Sequence, residues 1–270
     1  MNFQLKPAKC FVRRKLLLIL VFVFANATTI PAQTLATGFA ANDSGIVSTI
    51  QGLEMSAETR LAACELVGDV QSRTLNRGVL EYRRELRQKD GHECHLVERF
   101  TLTNAGIRWD IEILGKGAPW STAINTQLTW KNADALTWWT TWGDPRPDAP
   151  PGDRSGAPQA SAWWQDPLVS MPFKKARFRY GGNDQFDPRA FSIPIISVMN
   201  AQNDTGISVV ASPEDLLFQL DLHVEQTGEM TLSRTKHRIT EGHSITFSLD
   251  LITHEADWRG GLAWMTGRYP

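Results

Sequence analysis

Cysteine, tyrosine and histidine are scarce: three, three and six in 270 residues. Cys10 precedes an apolar run and is not placed to carry a lipid after cleavage, so Cys64 and Cys94 are the only thiols left for the folded part. In an oxidising compartment they allow one disulfide, closing a loop of about 30 residues and contributing roughly 3–4 kcal/mol in the chain-entropy picture. Long apolar runs are also missing. Residues 16–25 form an apolar run of ten, about half of what a membrane-spanning helix needs. No Gly-x-Ser-x-Gly, no His-Glu-x-x-His and no phosphate-binding glycine loop occurs, so the common hydrolase, zinc-protease and nucleotide signatures are absent. No repeat of 20–50 residues is present, which argues against a propeller or solenoid.

The short apolar run has its own meaning. Lys6, Lys9, Arg13, Arg14 and Lys15 precede it, and small residues at Ala25, Ala27 and Ala32 follow. This is the pattern of a secretory signal peptide over residues 1–32, implying a secreted or periplasmic protein. Removing that leader takes away five basic and no acidic residues, so the formal charge moves from −1 to −6. Such a balance disfavours nucleic acid, which needs a basic footprint. The remaining chain is long enough for one large domain with a real core.

Period-two alternation dominates it. Residues 33–55 read as a tail leading into a first strand, and residues 56–66 as a short helix capped by Ser56. Leu80, Tyr82 and Leu86 alternate with charged neighbours, and Asp90-Gly91 turns the chain into a second strand over 94–102. Ile107, Trp109, Ile111 and Ile113 face one way while Arg108, Asp110 and Glu112 face the other, the signature of an antiparallel sheet with one wet face. The run 192–199 is almost continuously apolar and reads as a central strand, with Pro194 near its start. Phe218, Leu220, Leu222 and Val224 alternate with Gln219, Asp221, His223 and Glu225. Ile245, Phe247, Leu249 and Leu251 close the series. Ten to thirteen short strands and little helix make an all-β fold, a large antiparallel β-sandwich over 33–256. The last segment, 257–270, is spaced as an amphipathic helix with Asp257 as its cap. It reads as the start of a linker toward a further domain, with nothing to pack against.

Half of the ten tryptophans lie between residues 138 and 182. Indole faces stack on the axial C–H groups of pyranose sugars, and carboxylate, amide or guanidinium groups nearby bind the hydroxyls. In a strand, neighbours point to opposite faces, so Trp138-Trp139 and Trp163-Trp164 cannot each place both rings in one core. Trp142, Trp163 and Trp164 with Asp144, Arg146 and Asp166 are therefore the carbohydrate-binding candidates, although Asp before Pro also favours a plain turn. Residues 183–187 offer oxygen ligands for calcium without the spacing of a standard calcium loop. Cys94 lies in His92-Glu93-Cys94-His95, but a zinc site normally needs a second ligand cluster, and none is evident. No catalytic pair is marked by context. His223 with Glu225 two residues on, on one strand face, is the candidate acid–base pair for an epimerase reading.

The C-terminal half carries a resemblance. Ile193-Pro194-Ile195, Asp204-Thr205-Gly206-Ile207, Ala211 to Asp215, Phe247 to Leu251, His254 to Arg259, Leu262-Ala263-Trp264-Met265 and Arg268-Tyr269-Pro270 occur in an order similar to the N-terminal β-sandwich of large secreted glycoside hydrolases of the α-galactosidase-like kind. The match covers roughly residues 130–270. The resemblance implies a galactose-mutarotase-type supersandwich that precedes a catalytic (β/α)8 barrel, with the catalytic carboxylates on the barrel. It implies a partner barrel that packs against Asp257, Trp258, Arg259, Leu262, Trp264 and Met265, and a non-catalytic role for this domain.

Overall fold

Strands whose apolar residues recur at every second position bury one face each, and two such sheets stack to form the core. A computed structural model describes residues 38–41, 45–50, 52–76, 78–141, 170–180, 190–191, 193–215 and 220–270. The strands are β1 (Gly38–Ala41), β2 (Ile46–Ile50), β3 (Leu53–Leu61), β4 (Cys64–Leu66), β5 (Gln71–Asn76), β6 (Val79–Gln88), β7 (Glu93–Leu102), β8 (Gly106–Lys116) and β9 (Trp120–Trp130). They continue as β10 (Thr137–Thr140), β11 (Met171–Pro172), β12 (Ala176–Tyr180), β13 (Ala190–Phe191), β14 (Ile195–Asn200), β15 (Thr205–Ala211), β16 (Leu220–Val224), β17 (Glu229–Ile239) and β18 (Ile245–His254), followed by the helix α1 (Arg259–Arg268).

The first sheet has eight strands in the order β1-β2-β3-β9-β17-β16-β12-β13. The second has ten, β11-β10-β14-β15-β18-β8-β7-β6-β4 with β5 also on β6. All pairs are antiparallel except β12 with β13. The all-β sandwich is thus as the alternation predicts. Its core includes Trp109, Trp130, Trp138, Tyr82 and Phe100, each at most 1% exposed. Burying a large apolar side chain of this kind contributes about 1.5–3 kcal/mol.

Five expectations need correction. Residues 53–61 form β3 rather than a helix: Leu53, Met55, Ala57, Thr59 and Leu61 all point inward, a period of two that a helix could not bury on one side. Residues 38–50 already form two strands. Eighteen strands are present among the described residues, because short edge strands such as β4, β11 and β13 leave too little pattern to read. Cys64 and Cys94 are both free thiols. Cys64 pairs with Gln88 and Cys94 with Leu86, so β6 lies between them, and two strand spacings of about 4.8 Å each exceed the Cα separation of about 7 Å that a disulfide tolerates.

The fifth concerns the C-terminal helix, which does have a surface to pack on. β14 is buried on both faces, and so is nearly all of β15. Leu262, Trp264 and Met265 of α1 pack with Trp139 and Ile193 on Ile195, Val210 and Ile252. The cap position falls on Trp258 rather than on Asp257 and has no side-chain cap bond; Asp257, one residue earlier, accepts the Arg259 N–H on Oδ1 at 2.9 Å and the Gly260 N–H on its carbonyl at 3.0 Å. Helix and sheet approach closely at Gly261, where a Cβ would lie 2.1 Å from Ser208 Oγ.

Candidate carbohydrate-facing surface

The aromatic candidates divide. Trp142, Asp144, Arg146, Trp163, Trp164 and Asp166 lie outside the described residues, as does the calcium candidate at 183–187. The Trp138-Trp139 pair splits as strand geometry demands. Trp138 is in the core, whereas Trp139 stacks on Trp258 with ring centroids 4.5 Å apart. The Arg259 guanidinium lies 5.1 Å from the Trp258 ring, so Trp139, Trp258 and Arg259 form one stack beside α1. The Cys94 segment builds no metal site. Cys94 faces the core, His95 lies 3.6 Å from Glu85, and His92 stacks on Trp120. Among the described residues, no three His, Cys, Asp or Glu side chains gather as a metal would require.

What the fold does gather lies on the outer face of the first sheet. Directly opposed residues of antiparallel strands share a face. Glu58 of β3 faces Gln127 of β9, Gln127 faces Thr231 of β17, Thr231 faces His223 of β16, and His223 faces Arg177 of β12. One straight row therefore crosses five strands. A second row runs beside it through Arg60, Asn125, Ser233 and Asp221. The inward residues of these strands, among them Ala57, Leu128, Leu232 and Leu222, are core, and that fixes the polar set on the outside.

Ion pairs brace the two ends. Arg60 Nη2 lies 2.5 Å from Glu58 Oε1. Arg177 Nη2 donates to Asp221 Oδ2 at 2.6 Å, and the carboxylate is only 3% exposed. Between them, Gln127 and His223 make no side-chain hydrogen bond to another described residue. Among the described residues, nothing takes up their amide and imidazole capacity. Burial and the neighbouring Arg177 lower the His223 pKa, against the opposite pull of Asp221 and Glu225. The ring is therefore biased toward its neutral form, which both donates and accepts.

Of the candidate pair, His223 belongs to this larger set, whereas Glu225 lies just beyond the end of β16 and outside both rows. Glu58, Gln127, Thr231 and Arg177 escaped the sequence reading because cross-strand register decides their alignment. Alternation marks each as outward-facing but does not say which opposes which.

The second sheet offers a cleft of about 260 Å³ on its own outer face, lined by Arg99, Arg108, Asp110, Asp215, Thr246 and Ser248 among others. Its cations are already engaged. Arg108 holds Asp250 at 2.5 Å and Asp110 at 3.1 Å, and also Ser248. Arg99 joins Arg73 and Arg83 around the buried Glu81. Burial opposes the Glu81 charge, but the three guanidinium groups outweigh it and pull the carboxyl down to about 2. Asp215 accepts the Ser248 N–H at 2.9 Å, and burial raises its pKa. This arrangement braces strands and presents fewer unengaged groups than the row on the first sheet.

No family model matches the chain, and no curated protein matches it. Among solved structures it is similar to an Escherichia coli K12 protein assigned provisionally as an aldose 1-epimerase, at 10% identity and TM-score 0.47, covering 82% of this chain and 99% of the other. It is similar to an aldose epimerase homologue from C. elegans, at 8% identity and TM-score 0.44, covering 82% and 100%. It is also similar to a galactose mutarotase related enzyme from Lactobacillus acidophilus, at 9% identity and TM-score 0.42, covering 82% and 98%. The sandwich class rests on the strand pairing above, and the chemistry is read from this chain's own residues.

Proposed function

We propose that the chain is a carbohydrate-binding β-sandwich and that the outer face of its first sheet meets the sugar. The row Glu58, Gln127, Thr231, His223 and Arg177 carries this reading. It sets a carboxylate, an amide, a hydroxyl, an imidazole and a guanidinium side by side, a mixture of donors and acceptors suited to sugar hydroxyls. No step of bond making is needed for binding. Titration calorimetry against neutral mono- and oligosaccharides tests it: Gln127→Ala and His223→Ala each lower affinity about 5- to 20-fold while the far-ultraviolet spectrum stays unchanged. Equal affinity in both variants sinks the assignment of this face.

An epimerase reading puts His223 to work as an acid with Glu225 as base. That role requires the imidazolium at working pH, and burial with Arg177 alongside disfavours it. Binding is therefore placed first. Anomer interconversion by the purified chain, lost in His223→Ala, reverses the order.

The signal-peptide-like leader and the glycoside-hydrolase resemblance support two further proposals: the protein is exported, and it works beside a catalytic barrel. An antibody against residues 46–130 reads both. A band in the secreted or periplasmic fraction, well above the mass of the processed chain, is expected. A cytoplasmic band at 30.2 kDa contradicts both.

A further inference from the structure

We infer that the ligand of the first sheet's outer face is an oligosaccharide of several rings lying across the strands, rather than a single sugar. The inference rests on the sugar-binding reading above and adds the size and direction of the ligand.

Three observations carry it. The first is length. The row from Glu58 to Arg177 crosses β3, β9, β17, β16 and β12, and four inter-strand gaps of about 4.8 Å span about 19 Å. The neighbouring row of Arg60, Asn125, Ser233 and Asp221 lies two residues further along each strand, roughly 7 Å away. The patch built by the two rows is therefore much longer across the strands than along them, and a single ring reaches only one or two positions of a row.

The second is openness. Sites for single small molecules are concave and bury most of the ligand. Gln127, Thr231 and His223 keep part of their surface in solvent, while Glu58 and Asp221 are covered by their arginine partners, at 14% and 3% exposed. Arg60 and Arg177, at the two ends, each have side chains 61% exposed. Against the described residues, a ligand on this face is covered on one side, so affinity accumulates along its length.

The third is the order of chemistry. Gln127 and His223, which make no side-chain hydrogen bond to another described residue, occupy interior positions of the row, while the charged groups at its ends are held by Arg60 and Asp221. A chain of neutral rings meets the amide, hydroxyl and imidazole centrally, and its outer rings meet the carboxylate and guanidinium. No inward-pointing wall or metal is required of the described residues.

The test is calorimetric titration of the full chain with neutral gluco-, xylo- and galacto-configured oligosaccharides of one to six rings. In the tightest-binding series, affinity rises at least tenfold from one ring to four and levels off beyond five. Glu58→Gln and Arg177→Met, at the two ends of the row, lower affinity for the five-ring ligand severalfold and leave the one-ring ligand unchanged. A single ring that binds as tightly as four overturns the inference and leaves the sugar-binding reading standing. Length dependence that survives both end substitutions overturns the placement across the strands. Absence of binding at every length overturns the sugar-binding reading itself.

Discussion

Glu98 shows how single residues hold this sandwich together. It is 0% exposed, faces inward from β7, pairs with the buried Arg84 of β6, and accepts the Trp109 indole N–H at 3.1 Å. Burial lowers the Arg84 pKa to about 10, so Arg84 stays charged at neutral pH and needs its partner. Glu98→Ala leaves that charge uncompensated, and urea unfolding is expected to show a loss of about 3–5 kcal/mol. Replacing the pair together, Arg84→Met with Glu98→Leu, is expected to recover most of that loss, since removing both charges removes both desolvation penalties. A double variant no more stable than Glu98→Ala contradicts this. Parity alone marks Arg84 and Glu98 as inward, because each sits among apolar residues of the same phase: Tyr82 and Leu86 on β6, Leu96 and Phe100 on β7. What the sequence leaves open is that the two meet, since Glu98 opposes Tyr82 and Arg84 opposes Leu96, a diagonal contact set by register.

At the scale of elements, the docking of α1 depends on a hydrogen-bond chain that runs from the surface at His254 into the buried Ser208–Ser197 pair. His254 Nδ1 lies 2.5 Å from the Glu255 carbonyl, which only accepts, so the proton is assigned to Nδ1. Nε2 then accepts from Ser208 Oγ at 2.7 Å, and Ser208 meets Ser197 at 2.7 Å. Gly260 packs directly on His254 and Gly261 on Ser208. Burial lowers the His254 pKa, while the Glu255 carbonyl and Asp257 pull the other way. Of the nearby charges, Asp257 is paired with Arg259, and Asp204 accepts the Ala256 N–H. A histidine with a depressed folded pKa contributes stability that is full above its unfolded value of about 6.5 and is lost as pH falls through the folded value. Acidification is therefore expected to loosen α1 and unstack Trp258 from Trp139. Tryptophan fluorescence should show this transition below about pH 6.5 and lose it in His254→Gln; an identical transition in that variant contradicts the role. The helix glycines make a paired prediction. Gly261→Ala forces a Cβ onto Ser208 and is expected to destabilise by about 1–3 kcal/mol. Gly267→Ala meets open space and is expected to be neutral or stabilising by up to about 1 kcal/mol. Thermal unfolding of the two variants separates them.

Elements also show where legibility ends. β8 was readable because Ile107, Trp109, Ile111 and Ile113 keep one phase with charged residues between them. β3 was not, because Thr59 and Ala57 interrupt the apolar phase and Glu58-Thr59-Arg60 reads as a polar helix surface until β2 and β9 pair on either side. β14 is legible as a central strand. What covers its outer face is α1, more than 50 residues later, and that contact carries no local signal.

For the whole molecule, the two outer faces differ in kind. The second sheet's is divided between the helix-covered apolar part and a braced network of arginines and carboxylates. The first sheet's is polar along β3, β9, β17 and β16, with Gln127 and His223 at its centre making no side-chain hydrogen bond to another described residue. The account's central claim is that this first face binds carbohydrate. Amide chemical-shift mapping of the isotope-labelled chain during a titration with the oligosaccharide series tests it most directly. The account predicts that saturable shifts concentrate on residues 56–60, 125–129, 221–225 and 229–233. Shifts concentrated on α1 with β14 and β15, or around Arg108 and Asp215, or no shifts at any sugar concentration, contradict it.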